Sequence, residues 1–303
     1  MDHYEEDNED ESFFVSMTDI MVGLLFIFIL IIMYFAIQAK IDALIIEEVQ
    51  NENERKTALL RDFGDGERYS ELNDYQIQVG YQRSNILNWI TAFLENEGIK
   101  GVQIVEEQGV LRLPEGLLFN SGEYKFEPDS RAFKVSQSLS LALNQILPCS
   151  VLTANGKPFI DKSTCNQSLY HNKELGFVQA IYLEGHTDNN PITNGLAGDP
   201  NLTNNLKLSA RRSTNTFESI ISESPRVLNF HGPVNDAAEL RFEPVLASSA
   251  YGELRPAASN ETEEGRRSNR RIDLRIVMYV PANIDSMTSF AEAIDAGLEA
   301  EEN

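Results

Sequence analysis

One aspartate and one arginine lie at positions where they can together bind a ligand that carries one positive and one negative charge. Asp188 follows a strand predicted at 178–185, and Arg212 lies on a helix predicted at 208–221. A carboxylate beside a guanidinium can hold an ammonium group and a carboxylate group by charge-assisted hydrogen bonds. Asp188 could instead stabilise a turn, and Arg212 could lie on a solvated helix face. Residue type and spacing leave both interpretations open.

Other residues that could do chemistry lack the partners that catalysis requires. His186 is the only histidine in this stretch, and no serine or cysteine nucleophile accompanies it, so we interpret it as structural. The sequence shows no phosphate-binding loop, no metal-ligand cluster and no nucleophile–base spacing. We therefore predict that the chain is not an enzyme and uses no cofactor or metal.

Cys149 and Cys165 are the only cysteines, and their spacing of 16 residues without accompanying histidines argues against zinc. They could form one disulfide, which would contribute about 2–4 kcal/mol and would require an oxidising compartment. They could equally remain two free buried thiols.

A further carboxylate, Asp19, begins an apolar segment. Residues 20–37 contain no charge and no proline, and residues 13–38 are long enough to cross a hydrocarbon core of about 30 Å. An ionised carboxylate at membrane depth costs about 2.5–3.5 kcal/mol, which a plain anchor has no reason to carry. Asp19 could instead cap a helix that starts at Ile20, although the apolar residues before it favour an earlier start.

The long core and the acidic start of the chain favour a retained single-pass anchor over a cleaved signal peptide or a buried helix. No lysine or arginine precedes the segment, whereas Lys40, Arg55, Lys56 and Arg61 follow it. Counted alone, these charges would place the C-terminal part in the cytoplasm.

Composition sets the broad class of the protein. The 303 residues include 25 Lys+Arg against 47 Asp+Glu, a formal net charge of −22, and 42% are hydrophobic. Such a chain can bury a real core and is not wholly disordered. A pI near 4.5 argues against nucleic acid as the main partner.

The elements that must position these residues follow from the apolar patterns. Strands are predicted at 102–105, 109–113, 178–185 and 271–277, and helices at 85–97, 139–147 and 208–221. This alternation predicts an α/β sandwich with helices on one face of a sheet. We divide the chain into an acidic tail (1–12), a transmembrane helix (13–38), a helical linker (39–98), the α/β domain (99–281) and an acidic C-terminal tail (282–303).

Four motifs in the α/β domain resemble the OmpA-like peptidoglycan-binding domain. They are Glu184-Gly-His-Thr-Asp188, Asn205-x-x-Leu-Ser-x-x-Arg212, Tyr251-Gly-Glu with Pro256 and Asn260, and Gly265-Arg-x-x-Asn-Arg-Arg271. The segment Leu118-Phe-Asn120-Ser-Gly resembles an early segment of the same family. The stretches 188–205 and 222–248 are longer than is usual in that family.

This resemblance implies a ligand, the diaminopimelate residue of a peptidoglycan stem peptide. Asp188 would take its ammonium group and Arg212 its carboxylate, and Asn120, Thr187 and Asn205 would add hydrogen bonds. The remaining motif residues would be structural: Gly185, His186, Asn269, Arg270 and Arg271. Of these, Asn269, Arg270 and Arg271 could equally form an ion-paired scaffold.

The segment Ser16-Met-Thr-Asp19-Ile-Met-Val-Gly resembles the membrane helix of MotB-type stator subunits, which carries one essential aspartate. The resemblance implies that Asp19, with Thr18 beside it, carries H⁺ or Na⁺. It also implies that five copies of a multi-pass MotA-like subunit surround a homodimer of this chain. The N-terminus would lie in the cytoplasm and the α/β domain in the periplasm, contrary to the lysine and arginine count.

An acidic N-terminal tail without a basic cluster makes the chain look more like the B subunit of the Zorya anti-phage defence motor than a flagellar stator. A flagellar stator and a passive envelope tether, in which Asp19 is only a cap, remain as alternatives.

Overall fold

A computed structural model describes residues 25–29, 31–33, 40, 66–119, 122–127, 130–159, 176–192, 199–236 and 239–299. The chain divides into two compact units, residues 1–70 and residues 71–303. In the first unit, residues 25–29 and 31–33 are helical, and large apolar side chains such as Phe26 and Phe28 are about 60% exposed. Thr18, Asp19 and most of the predicted membrane segment lie outside the described residues.

Among the helices that the described ranges contain, none combines the length and the apolar character needed to cross a membrane.

Besides the helical residues of the first unit, the described elements include five α-helices and seven β-strands. The helices are α1 (Gly66–Asn96), α2 (Arg131–Ile146), α3 (Asn205–Glu223), α4 (Glu263–Asn269) and α5 (Ile284–Glu299). The strands are β1 (Gln103–Val105), β2 (Val110–Pro114), β3 (Val178–His186), β4 (His231–Asp236), β5 (Glu239–Pro244), β6 (Leu246–Gly252) and β7 (Arg271–Met278).

Five of the strands form one mixed sheet in the order β1-β2-β7-β3-β6. Strands β3 and β6 run parallel, and the other neighbours in this sheet are antiparallel. Helix α3 packs on β3 and β6, and helix α2 packs on α3. The protein therefore has a mixed α/β fold, as the alternation of patterns in the sequence predicts.

The two faces of the sheet differ in chemistry because side chains alternate along each strand. On β7, Ile272, Leu274 and Ile276 are buried in the apolar core. The intervening residues, Arg271, Asp273 and Arg275, project to the opposite face, where they meet charged partners from β2 and β3.

Helix α1 is part of this core, although its sequence is predicted to belong to a linker that ends at residue 98. Ile86, Leu87, Ile90 and Leu94 are at most 2% exposed and belong to the same apolar cluster as the sheet. Their helical spacing predicts an apolar face, but spacing does not reveal what covers that face. Residues 71–98 thus belong to the same compact unit as the sheet.

The segment 282–303, predicted to be an acidic tail, contains helix α5. Phe290 is 6% exposed and packs edge-on against Phe177, with ring centroids 5.6 Å apart, and also against Tyr279. The sequence carries a helical signal that the acidic composition obscures, with large apolar residues at Ile284, Met287, Phe290, Ile294 and Leu298.

The long stretch 222–248 contains a short 3₁₀ helix (Pro225–Asn229) and the β4–β5 hairpin, which forms a separate two-stranded sheet. Cys149 is buried at the end of a second 3₁₀ turn (Leu147–Cys149). Cys165 lies outside the described residues, so the disulfide stays a prediction.

Candidate functional site

The candidate site lies where strand β3 ends and helix α3 begins. The backbone N–H of Thr187 donates to the carbonyl of Gly252 at 2.9 Å, which ties the end of β3 to the end of β6. The N–H of Gly252 in turn donates to the hydroxyl of Ser209 on α3 at 2.9 Å. Motif residues thus connect two strand ends to one helix.

Helix α3 approaches β3 closely because residue 185 has no side chain. A Cβ atom at Gly185 would lie 2.2 Å from the carbonyl oxygen of Ser209, closer than any real contact. The start of the helix is fixed by Asn204, whose side chain accepts from the N–H of Lys207 at 2.9 Å. The helix start and this close approach together set the position of Arg212 two turns further on.

Asp188 is 6% exposed, and its carboxylate is held on both oxygens. Asn190 donates to Oδ1 from its backbone N–H at 3.2 Å and to Oδ2 from its side chain at 3.1 Å. Arg270 donates from Nη1 to Oδ2 at 2.5 Å. Oδ1 is therefore the less heavily used oxygen and retains capacity for another donor.

Arg270 is the central cation of the site. Beyond Asp188, it forms an ion pair from Nε to Glu115 at 2.6 Å and a hydrogen bond from Nη2 to Glu263 at 2.8 Å. Burial lowers the pKa of Arg270, but Glu263, Asp188 and Glu115 together outweigh burial, so the pKa is raised above its ordinary value. Arg270 is charged at every physiological pH.

Arg212 is 2% exposed and lines the same small cavity as Glu115 and Arg270. Its Nε donates to the backbone carbonyl of Glu123 at 2.8 Å, and its guanidinium lies 5.6 Å from the ring centre of Phe119. Burial lowers the pKa of Arg212 to about 10, with Glu115 and Asp188 opposing that shift and Arg270 adding to it. The predicted pair, Asp188 and Arg212, therefore shares one electrostatic environment.

The predicted hydrogen-bonding residues differ in availability. The hydroxyl of Thr187 is buried and has no hydrogen-bond partner within the described part of the chain. Asn205 donates from its amide to the carbonyl of Asn190 at 3.0 Å and to Glu253 at 2.6 Å, so it braces the loop that carries Asp188. Asn120 lies outside the described residues.

Asn269 and Arg271, predicted to be structural or an ion-paired scaffold, both make scaffold contacts. The Asn269 side chain accepts from the N–H groups of Ala257 and Ala258 and donates to the side chain of Asn260. Arg271 donates to Asp273 at 2.9 Å. The contacts of Asn269 tie the end of α4 to the segment 257–260.

His186 lies in a second polar cluster on the outer face of the sheet. Its ring stacks on Tyr251 with centroids 5.3 Å apart, and neither ring nitrogen has a hydrogen-bond partner among the described residues. Burial, followed by the nearby charge of Arg271, lowers the pKa of His186 to about 3. The imidazole is therefore neutral at physiological pH.

Glu184, His186 and Asp273 place one potential ligand atom each within 4.8 Å of one another, a spacing that a metal ion could use. Both carboxylates, however, already bind arginines. Arg275 donates from Nε and Nη2 to the two carboxylate oxygens of Glu184 at 2.8 and 2.9 Å, and Arg271 donates to Asp273. Arg112 adds a third positive charge, at 3.1 Å from Asp273. This concentration of arginines opposes a cation, because like charges repel strongly in a buried environment.

Sequence reasoning missed Glu115, and it predicted Arg270 to be a structural residue or part of an ion-paired scaffold. Glu115 follows β2 and belongs to none of the motifs, so no signal in the sequence identifies it. The place of Arg270 beside Asp188 follows from strand pairing, because His186 lies opposite Arg271 in the β3–β7 ladder, a register that the sequence does not reveal.

Comparison with known proteins was made by sequence and by structure. No protein-family model matches the chain. Motility protein B of Bacillus subtilis (strain 168) is 36% identical over 97 residues, which cover 32% of this chain and 30% of that protein. Over these residues the chain resembles motility protein B, as its sequence predicts. It spans less than a third of the length of that relative.

Several solved structures also resemble the chain. A MotB-like protein from Desulfovibrio vulgaris is 20% identical, with 68% of this chain and 95% of that chain covered and a TM-score of 0.42. The cell wall anchor of the T6SS from Pseudomonas aeruginosa is 16% identical, with 63% and 97% covered and a TM-score of 0.40. The periplasmic domain of Helicobacter pylori MotB is 18% identical, with 60% and 83% covered and a TM-score of 0.35. Likenesses at such TM-scores carry no argument about function.

Proposed function

We propose that this MotB-like chain binds peptidoglycan through the cluster at the end of β3 and anchors an ion-driven inner-membrane motor to the cell wall. The observation that carries the wall-binding proposal is the meeting of Asp188, Arg212, Arg270 and Glu115 at one end of the sheet. The similarity to motility protein B supports the motor proposal.

The charge balance of the cluster suits a zwitterion. Two carboxylates, Asp188 and Glu115, face two guanidiniums, Arg212 and Arg270, so the buried group is close to neutral without a ligand. Diaminopimelate adds one ammonium and one carboxylate and preserves that balance. A simple anion or cation would leave an uncompensated charge in a desolvated place, which is costly.

The ligand groups have defined positions in this proposal. The ammonium group donates to Oδ1 of Asp188, the oxygen that accepts only from the backbone of Asn190. The hydroxyl of Thr187 supplies a hydrogen bond that the described structure leaves unused. The ligand carboxylate lies against Arg212, as the family resemblance implies, with Arg270 holding Asp188 in place.

The test is binding to purified sacculi by the full-length protein in detergent. We expect Arg212→Ala to weaken co-sedimentation more than about tenfold, because it removes a charge-assisted contact from a buried site. The neighbouring exposed residue provides a matched control, since Arg211→Ala also removes one positive charge from α3. Asp188→Asn, which preserves shape, should lose binding as well.

The proposal fails if Arg212→Ala and Arg211→Ala bind sacculi equally well while Asp188→Asn also binds like the wild type. Unfolding curves for all variants exclude a loss of binding that comes only from misfolding.

The membrane half of the proposal concerns Asp19 with Thr18. Asp19 carries H⁺ or Na⁺ at the interface with a multi-pass MotA-like ring of five copies, which surrounds two copies of this chain. A carboxylate in lipid is costly when charged and less costly when neutral, so ion arrival and departure change its preferred contacts. The membrane potential supplies about 2.3 kcal/mol per charge per 100 mV.

In this arrangement the N-terminus lies in the cytoplasm, and the paired α/β domains hold the wall in the periplasm. We propose that the motor serves anti-phage defence of the Zorya type, an assignment supported by the acidic N-terminal tail. The identity of neighbouring genes separates this role from a flagellar one, because a nuclease or helicase gene indicates defence and chemotaxis genes indicate swimming.

A further inference from the structure

The outer face of the sheet, opposite helix α3, carries charged residues in register across neighbouring strands. Arg112 on β2 lies opposite Asp273 on β7, and Asp273 in turn lies opposite Glu184 on β3. Arg271 and Arg275 occupy the adjacent outward positions of β7, two residues to either side of Asp273. Charge on this face is therefore concentrated on three neighbouring strands.

The acids of the outer face lie beneath its arginines. The side chains of Glu184 and Asp273 are 2% exposed, whereas those of Arg275 and Arg112 are 26% and 17% exposed. Solvent thus meets guanidinium groups, while the carboxylates that pair with them are buried. The outer face presents positive charge in a chain whose formal net charge is −22.

Arg255, from the loop after β6, adds a guanidinium that is held in place without an acid. It lies 3.9 Å from the ring centre of Tyr251, whose ring stacks in turn on His186. The side chain of Arg255 is exposed and makes no hydrogen bond or ion pair with the residues that the structure describes. Stacking fixes this guanidinium while its N–H donors stay free, which suits it to an incoming anion.

Arg112 also has a donor to spare, and it belongs to a distant strand. It donates to Asp273 from Nε and Nη2, and its Nη1 has no hydrogen-bond partner within the described ranges. Its strand, β2, is separated by β7 and β3 from β6, the strand of Tyr251. Neighbouring strands lie about 4.8 Å apart, so β2 and β6 are about 14 Å apart. A single small anion does not span that distance, whereas an extended peptide does.

We propose that the outer face binds an extended acidic segment of a partner protein, whose carboxylates bind Arg112 and Arg255. Each residue of an extended segment advances about 3.3 Å, so acids four positions apart are separated by about 13 Å and match the spacing of β2 and β6. Tyr182, which is 37% exposed on the intervening β3, offers apolar surface to the segment. Arginine clusters recognise acidic segments in many proteins. The proposal is independent of ligand binding at the Asp188 cluster.

Charge distinguishes this partner from two others. A second copy bound through the same face would bring arginine against arginine, because a two-fold contact pairs a surface with itself. An anionic membrane extends past the face and meets other parts of the chain, whose net charge of −22 opposes it. A short acidic segment contacts the positive face alone, since charges more than about 8 Å away are screened at physiological salt.

The test is fluorescence anisotropy of a labelled peptide added to the full-length protein in detergent. The peptide alternates glutamate and threonine, and threonine favours an extended chain. A control peptide has glutamine in place of each glutamate. The main variant, Arg255→Glu, changes an exposed side chain and removes no ion pair among the described residues. Its matched control is Arg211→Glu, an equal change of charge at an exposed position of α3, which packs on the opposite face of the sheet.

We expect the wild type to bind the glutamate peptide at least about tenfold more tightly than the glutamine peptide. Arg255→Glu should remove most of this preference, and so should Arg112→Gln, which leaves Asp273 paired with Arg271. Arg211→Glu should keep the wild-type preference. Equal urea midpoints for the variants exclude a loss of binding through misfolding. The proposal is overturned if the wild type shows no preference, or if Arg255→Glu and Arg211→Glu weaken binding equally.

Two further measurements on the same variants identify the other partners. If nanodiscs that contain phosphatidylglycerol bind in a manner that Arg255→Glu abolishes, while the glutamate peptide does not bind, the face belongs to a membrane surface. If sedimentation shows that Arg255→Glu separates a dimer into monomers, the face belongs to a second copy. Either result overturns the proposal.

Discussion

At the scale of single residues, the site depends on one arginine that forms ion pairs with three carboxylates. Arg270 contacts Asp188, Glu115 and Glu263, and its side chain is 9% exposed. The first two carboxylates are themselves nearly buried, with side-chain exposures of 8% and 12%. Removing the cation would leave two like charges in a desolvated place.

We expect Arg270→Ala to destabilise the protein by about 3–5 kcal/mol, because it leaves buried carboxylates without a partner. Urea unfolding of the full-length protein measures the change. Arg267→Ala, which removes an exposed arginine from α4, the helix that ends just before Arg270, should change stability by less than about 0.5 kcal/mol. Equal effects of the two substitutions would contradict the central role of Arg270.

His186 gives the protein a defined response to acid. Its pKa is lowered from 6.5 to about 3 by burial and by Arg271, so the unfolded chain takes up a proton at a higher pH than the folded one does. Stability should therefore fall as the pH falls from about 6.5 towards 3, and it should not change with this group above pH 7.

The measurement is the unfolding free energy against pH for the wild type and His186→Gln. We expect the wild-type curve to be steeper in this window, by at most about 1.4 kcal/mol per pH unit, which corresponds to one proton. Parallel curves would show that another group causes the acid sensitivity.

At the scale of elements, the packing of α3 on β3 places Arg212 near Asp188. This packing depends on Gly185, where a Cβ atom would meet the backbone carbonyl of Ser209. A backbone atom cannot rotate away as the end of a flexible side chain can. The helix would have to move as a unit, and the ends of β3 and β6 that it holds would move with it.

We expect Gly185→Ala to cost about 1–3 kcal/mol of stability through overpacking. Gly80→Ala is the control, since no atom lies within 4 Å of a Cβ at Gly80 on α1. Alanine at that helical position should stabilise the protein by up to about 1 kcal/mol. Thermal unfolding of the two variants should thus shift in opposite directions, and a neutral Gly185→Ala would refute the close approach.

At the scale of the whole molecule, the α/β domain that we propose binds the cell wall and an apolar segment with one acid belong to the same chain. The proposed motor needs both parts, whereas a passive tether needs only the wall-binding one. Substitutions in the two parts therefore distinguish these functions.

We expect Asp19→Asn to leave expression and assembly with the partner ring intact and to abolish activity, because the amide has the shape of the acid but cannot carry an ion. Protection of cells against phage, scored by plaque counts, is the readout for the defence function, and swimming is the readout for the flagellar alternative. Full activity of Asp19→Asn together with loss of activity in Arg212→Ala would select the passive tether.

The sequence by itself determined several features of this protein. The period-two and helical patterns predicted β1, β2, β3, β7 and α3, because these elements each bury one apolar side and carry that signal locally. The motifs around Asp188 and Arg212 identified residues that the fold places in one electrostatic environment. The similarity to motility protein B was also readable in the residues.

Only the tertiary structure decided which residues contact one another across the fold. Arg270 lies 82 residues from Asp188 in sequence, and only the register of β7 on β3 brings their side chains together. Burial of α1 and of Phe290 on α5 likewise depends on surfaces that distant segments supply. Local patterns reveal that a residue needs a partner, but the partner is chosen by chain packing, which no local pattern records.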